Sequence, residues 1–372
     1  MKEKKRVLLV MTPFYDYHER VKSALEANGY EVIPRFHQWF ERNYHHAGLR
    51  DKIRIRLKHK FKKSAWIESL LKEEREAATL DCDILLVIAN FPYSAKTLER
   101  LKEHNKTLKT YFFLWDALVA IPQEPVLLQK FDRVLTFNRP DVKYLRAKDP
   151  DHKSKYAYLP DFYIKNTEPV ENPGNDLIYV STINPDTYPR FSILKKLDDF
   201  CQTNNIKRRL SLRHYNFPKP VSLAGKIKEF LFSHKWWTYR RKIAKFKKTD
   251  TSGLLTDKTI SLTDLQKHEA DSKVIFDINH GLRQGFTLNV ISALGNGKKL
   301  ITTNPHIPEE PFYRPENIAV VTEENPVPPV EFFKTPGVSV DLECLEIINW
   351  VNLILDESYY DFQRPKFDII TD

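Results

Sequence analysis

Cysteine is scarce in this sequence. The 372-residue chain has three, Cys82, Cys201 and Cys344, far apart and in no metal-ligand spacing. A disulfide framework and a thiolate metal site are therefore excluded as organising devices, and the thiols read as isolated, reduced and buried. Glycine is also sparse, at 10 residues, and no stretch repeats, which excludes linker arrays and solenoids. Long apolar runs are missing too. The N-terminal run Val7-Leu8-Leu9-Val10 falls short of the roughly 7–15 residues of a secretory signal core. Nothing approaches the ~20 residues of a membrane-spanning helix, so a cytoplasmic protein is expected. His45, His46 and His59 sit in basic surroundings without paired carboxylates or cysteines, so no metal site and no cofactor is expected.

Base is concentrated in two stretches with a single acid each, Asp51 and Glu229. From Arg50 to Lys62 every even-numbered residue is Lys or Arg, and between Lys226 and Lys248 nine basic residues face only Glu229. These stretches carry much of the formal charge of +10 and imply an anionic partner. In the second, Trp236, Trp237 and Tyr239 alternate with Lys235, Arg240 and Arg241. That mixture suits a helix lying in a lipid headgroup layer, on the inner face of a cell membrane, as well as a solvated basic face with its aromatics packed inward. Leu49, Ile53, Leu57 and Phe61 form a helical stripe in the first stretch, although its strict alternation fits a strand equally well.

What is present favours packed cores. Apolar residues make up 41% and aromatics 12%, and the length implies about two domains. Short apolar runs alternate with helical patterns: Arg6–Met11, Tyr30–Phe36, Ile84–Ile88, Lys109–Trp115 and Arg133–Phe137 read as strands. Helices are expected around Val21–Leu25, from Ser94 as N-cap to His104, and over Val126–Lys130. A Pro-, Asn- and Gly-rich stretch, 168–175, marks a boundary, after which the alternation restarts. The expected domains are 1–167, with a basic insertion near 45–78, and 168–372, with a basic aromatic insertion near 218–250. The second would end in a helix, Leu342–Leu355, apolar almost all round and docked against both domains. The fold class is α/β: two Rossmann-like, doubly wound domains facing a cleft, with ligands beyond the carboxyl ends of the strands.

The most informative stretch is Lys273–Asn304, a strand, a loop with Gly281 and Gly285, a helix and a strand. Gly285 stands just before the helix, where unpaired backbone N–H groups and the helix dipole suit a phosphate; an ordinary βαβ unit fits equally well. Around it the sequence resembles the bacterial lipopolysaccharide or capsular polysaccharide biosynthesis glycosyltransferases of the two-Rossmann-domain (GT-B) type. The likeness lies in Tyr111-Phe112-Phe113-Leu114-Trp115-Asp116, the strand entry Ser272-Lys273-Val274, and Gly285-Phe286-Thr287-Leu288 with Ala293-Leu294-Gly295 and Gly297 to Asn304.

The resemblance implies a nucleotide-sugar donor and a lipid-linked or oligosaccharide acceptor. Arg190 and Lys195 are spaced like the Arg/Lys pair that clamps the donor diphosphate in such enzymes; Arg213 and Arg283 are further donor-side candidates, with Thr287 in the glycine motif. The family's two flanking glutamates are replaced by Gln284 and Ser292, and an arginine common in relatives by Asn289. A serine offers ribose hydroxyls no charged two-oxygen acceptor. Asp116, ending an apolar strand, is the preferred acceptor base, with Asp16 and His18 as rivals. Two other readings stay open: a noncatalytic scaffold of a polysaccharide assembly complex, and a basic nucleic-acid-binding protein. The common nucleic-acid motifs are absent, so no nucleic acid is expected.

Overall fold

The computed structural model describes residues 4–37, 65–121, 125–166, 170–183, 189–214, 234–279 and 284–359, with backbone alone for 65–67 and 234–237. The first basic stretch lies outside them. Contacts divide the chain into two units. One comprises Met1–Ile164, Leu282–Ile291 and Leu342–Lys366; the other comprises Lys165–Gly281, Ser292–Asp341 and Phe367–Asp372.

In the first unit the order is β1 (Arg6–Met11), α1 (Tyr17–Ala27), β2 (Glu31–Phe36), α2 (Ala65–Ala77), β3 (Ile84–Ile88) and α3 (Ala95–His104). It continues with β4 (Lys109–Leu114), α4 (Pro125–Leu128), β5 (Arg133–Thr136), α5 (Arg139–Lys148) and β6 (Tyr156–Tyr158). All six strands are parallel, in the order β2-β1-β3-β4-β5-β6. The five residues of β3 are all buried, as helices on both faces of a parallel sheet require. Ser94 caps α3, its Oγ accepting from Thr97 N at 3.3 Å. The chain moves outward from β1 to β2 and then crosses to β3, so the topological switch lies between β1 and β3.

The sequence pattern assigns Leu342–Leu355 to the second domain as one helix. It is instead a short 3-10 turn, Glu343–Leu345, and a helix, Ile347–Leu355, that Glu346 caps through Ile348 N. Both are counted with the first unit. Trp350, fully buried, explains this: its Nε1 donates to Pro160 O at 2.9 Å and its ring packs on Phe113 and Phe162.

The second unit contains β7 (Asn175–Thr182), α6 (Arg190–Thr203), β8 (Arg208–Arg213), α7 (His234–Thr249), β9 (Leu255–Thr256) and α8 (Leu262–Ala270). Then come β10 (Ser272–Asp277), α9 (Leu288–Gly295), whose first residues are counted with the first unit, β11 (Lys299–Thr302) and β12 (Ile318–Val320). These strands are again parallel, ordered β12-β11-β10-β7-β8-β9, with the switch between β7 and β10. Helix α7 turns Tyr239, Ile243 and Phe246, one face at i, i+4 and i+7, into this unit's core, where Phe246 stacks on Phe191 at 4.8 Å. Its aromatic and aliphatic stripe from Tyr239 onward is therefore core, while Arg241, Lys245, Lys247 and Lys248 stay exposed.

Candidate functional site

At the carboxyl edge of the first sheet three loops meet by register. Met11 pairs with Ile88, and Ile88 with Phe113, so Thr12–Pro13, Ala89–Asn90 and Leu114–Trp115 lie side by side. Backbone strain marks two of these loops. Tyr15 (φ 47°) and Ala89 (φ 75°) occupy the left-handed region, at a cost of about 1–2 kcal/mol each for residues with a Cβ. Above the sheet edge is an aromatic group: Trp115 contacts Phe14 at 6.1 Å and Tyr17 at 5.9 Å, and Tyr17 contacts Phe162 at 5.8 Å. The Phe14–Trp115 contact joins the ends of β1 and β4, the strands on either side of β3.

The three acid–base candidates are spread along this edge. Asp16 precedes α1; its Oδ2 takes Arg20 Nε at 3.4 Å, and its buried Oδ1 meets no hydrogen-bond donor. His18 packs edge-on against Phe36 of β2 at 4.7 Å, with a buried Nδ1 lacking a hydrogen-bond partner. Asp116 is half-buried two residues past β4. From the β2 end to the β4 end is three strand spacings, about 14 Å. His18 lies on the β2 side of this edge and Asp116 past the end of β4, while their neighbours Tyr17 and Trp115 meet at 5.9 Å.

Sequence reasoning passed over Asn90. It is 2% exposed, and neither Oδ1 nor Nδ2 has a hydrogen-bond partner. Its position, one residue beyond five buried aliphatics and a strained alanine, was the available signal. Close by, His37 donates to or accepts from Tyr93 Oη through Nε2 at 2.8 Å, and burial, with help from Arg35, pushes its pKa down to about 4. It is neutral near pH 7 and suited to holding Tyr93 in place.

In the second unit, Arg190 opens α6 and folds back over the end of β7, its Nη1 donating to Ser181 Oγ at 2.8 Å and Thr182 O at 2.6 Å. Arg213 ends β8 directly opposite Thr182. The Arg190 guanidinium therefore lies over the end of β7, beside the switch point, and Arg213 stands on the end of the next strand. His214, next in sequence, is buried, with Nδ1 lacking a partner. Lys195 is not brought to them: it is exposed on the outside of α6. Beside β7, the end of β10 is fixed by Asp277, whose Oδ2 accepts from Thr302 Oγ1 at 3.0 Å.

Arg283 lies outside the described residues, as do the side chains of Lys235, Trp236 and Trp237. Arg240 is half-buried and Arg241 exposed on α7. Gln284 is exposed; Thr287 and Ser292 are half-buried, with Thr287 O accepting from Val290 N and Ser292 O accepting from Asn296 N and Nδ2 at 3.1 and 3.0 Å.

The glycine motif has a different surrounding from the one its sequence suggests. Gln284 N and Gly285 N both donate at 3.1 Å to Asn138 Oδ1, before α5. Asn138 is itself buried and bonds to Asp141. A Cβ on Gly285 would collide with Phe137 O and lie 2.6 Å from Phe137 Cδ2. The glycine is thus required by the close approach of a second backbone, and the two amides assigned from sequence to a phosphate have an acceptor within the protein.

Burial pushes the Cys82 and Cys201 thiols up to about 12, so neither is a nucleophile near neutrality. Among the described residues no cluster of His, Cys, Asp and Glu could hold a metal ion, and no helix is long and apolar enough to cross a membrane.

No protein-family model matches the sequence, and comparison with curated proteins gives no match. Among solved structures, the apo structure of OtsA is similar at TM-score 0.51 and 11% identity, over 96% of this chain and 93% of that one. The UDP-forming α,α-trehalose-phosphate synthase of Burkholderia vietnamiensis gives 0.51 and 11%, over 88% and 90%. The lipopolysaccharide outer core galactosyltransferase WaaB, in its apo form, gives 0.41 and 10%, over 89% and 88%, a likeness too weak to argue from. What the first two similarities establish is architecture: an α/β chain of two Rossmann-like units, as in GT-B proteins.

Proposed function

We propose that the protein is a GT-B glycosyltransferase that moves a sugar from a nucleotide-sugar donor to a lipopolysaccharide or capsular polysaccharide acceptor. The observation that carries the reading is the pair Arg190 and Arg213 at neighbouring strand ends beside the switch point of the second sheet. A planar, permanently charged guanidinium matches a diphosphate, and positive charge there stabilises the departing nucleoside diphosphate as the glycosidic bond breaks. The likeness to a UDP-forming synthase agrees with such a leaving group. Asp116 is the acceptor base in this reading, removing the hydroxyl proton at the edge of the first sheet. No metal or cofactor takes part.

The acceptor is lipid-linked and the protein works in the cytoplasm, on the inner membrane face. Helix α7 supports this: its outward lysines are exposed, its sequence contains no acid, and each basic residue near an anionic surface adds about 1 kcal/mol. Since Tyr239 and Phe246 belong to the core, attraction by charge carries the contact for this part of the helix.

Thermal unfolding with UDP, GDP, CMP and a short oligonucleotide tests the reading. A nucleotide at ~100 times its dissociation constant adds about 2.7 kcal/mol of stability. Stabilisation by a nucleoside diphosphate that Arg190→Ala abolishes is the expected result. A response to the oligonucleotide alone would replace the transferase with a nucleic-acid binder, and no nucleotide response at all, with capture of partner enzymes, would leave a scaffold.

A further inference from the structure

We infer that the Ala89–Asn90 turn forms a subsite for a neutral, polyhydroxylated ring, with Asn90 as the residue that reads its hydroxyls. This deepens the transferase reading and rests on it for the identification of the ring as the acceptor sugar.

The first ground is the contrast between Asn90 and the other buried carboxamides. Asn138 Oδ1 accepts two backbone amides. Asn317 exchanges two hydrogen bonds with the Val338 backbone at 2.7 Å each. Asn304 Oδ1 accepts from His306 N at 3.0 Å. This chain therefore satisfies its buried amides, and Asn90, equally buried, meets no donor or acceptor within it. A carboxamide placed so takes its partner from outside the chain, a water or a ligand hydroxyl. The turn is also held rigidly. Ala89 keeps its left-handed φ of 75° while its N–H is fixed to Phe113 O at 3.0 Å.

The chemistry of the neighbours narrows the ligand. Phe14 and Tyr15 are 52% and 45% exposed, and with Tyr17 and Trp115 they offer aromatic faces at the same sheet edge. Residues 12–16, 89–94 and 115–118 include no Lys or Arg, which disfavours an anion. A carboxamide presents a donor and an acceptor side by side, matching a hydroxyl that both gives and takes a hydrogen bond. Aromatic faces match the C–H face of a pyranose. A sugar ring combines these two surfaces.

The test compares the full chain with Asn90→Leu, close in volume and apolar, and with Ala89→Gly. Unfolding midpoints are measured alone and with methyl glycosides of glucose, galactose and mannose, with inorganic phosphate as the charged control. Both variants are expected to melt higher than the wild type, by on the order of 2 °C, because an unmatched amide or a strained φ has been removed. At least one glycoside should raise the wild-type midpoint and leave Asn90→Leu unmoved, while phosphate has no Asn90-dependent effect. The inference is overturned if Asn90→Leu melts lower or does not fold, if glycosides protect it as well as the wild type, or if none protects the wild type. Arg190→Ala separates the two readings: glycoside protection should survive it. Asn90-dependent protection without any nucleotide response would sink the transferase while leaving the subsite in place.

Discussion

Replacing Gly285 with alanine discriminates between two reasons for the glycine. The added Cβ would strike the Phe137 carbonyl and stand 2.6 Å from its ring, where real Cβ contacts are essentially never found. Its main obstacle is backbone, so a side-chain rotation cannot relieve it. Overpacking of this kind costs about 1–3 kcal/mol. Displacing the loop also lengthens two hydrogen bonds to Asn138 Oδ1, each contributing about 1 kcal/mol net. The expected loss is therefore about 3–5 kcal/mol. Urea unfolding of the ligand-free protein measures it, and hydrogen exchange at Gln284 and Gly285 should accelerate in step. Asn138→Ala removes the same acceptor, so the double variant should be less damaged than the two single losses added. If Gly285→Ala stays within about 0.5 kcal/mol of the wild type yet no longer responds to nucleotide, the close approach is the wrong explanation and the phosphate the right one.

Three further outcomes follow from the same geometry. Burial pushes the half-buried Glu269 carboxyl up to about 7, with Lys298 opposing, from 4.5. The folded state thus holds a proton that the unfolded chain releases, so this group's contribution is complete below about pH 4.5 and lost as pH rises through about 7. Glu269→Gln should flatten the stability–pH curve over that interval, by at most about 3 kcal/mol and less in proportion to solvent contact; an unchanged curve refutes the assignment. Asp198 is buried and accepts from Arg208 Nε at 2.6 Å and Gln202 Nε2 at 2.7 Å, so Asp198→Ala should cost about 2–3 kcal/mol in chemical denaturation. A loss below 0.5 kcal/mol (about the noise of a surface change) would show the pair to be incidental. Changing Lys245, Lys247 and Lys248 together to glutamate should abolish flotation with anionic vesicles and leave folding intact, since all three are exposed; equal recovery would remove α7 from the membrane contact.

Strand cores were legible because a parallel sheet covered on both faces needs uninterrupted apolar runs, and Ile84–Ile88 or Val7–Met11 can be little else. Helix α5 escaped because only Asp141, Val142 and Leu145 are buried in ten residues, too few to set a period, and β6 because three residues are too short to show one. Arg213 could be picked out as a charge at a strand end, since the end of a strand locates the sheet's carboxyl edge, whereas Arg190 was reached through the resemblance, by its spacing to Lys195. Relations between distant segments could not be read. Trp350 belongs with Pro160, 190 residues earlier, and no local pattern near Trp350 records that. The need for glycine at 285 is of the same kind: it is a distance between two backbones, and the one that imposes it lies at Phe137. A phosphate-cradling loop and a loop pressed against a neighbouring helix start call for the same residue, so sequence alone assigns the glycine without assigning its cause. Asn90 inverts the case. Its position past a strand end is visible in the sequence, but its significance is the lack of any partner, which becomes a fact only when every surrounding group has been placed.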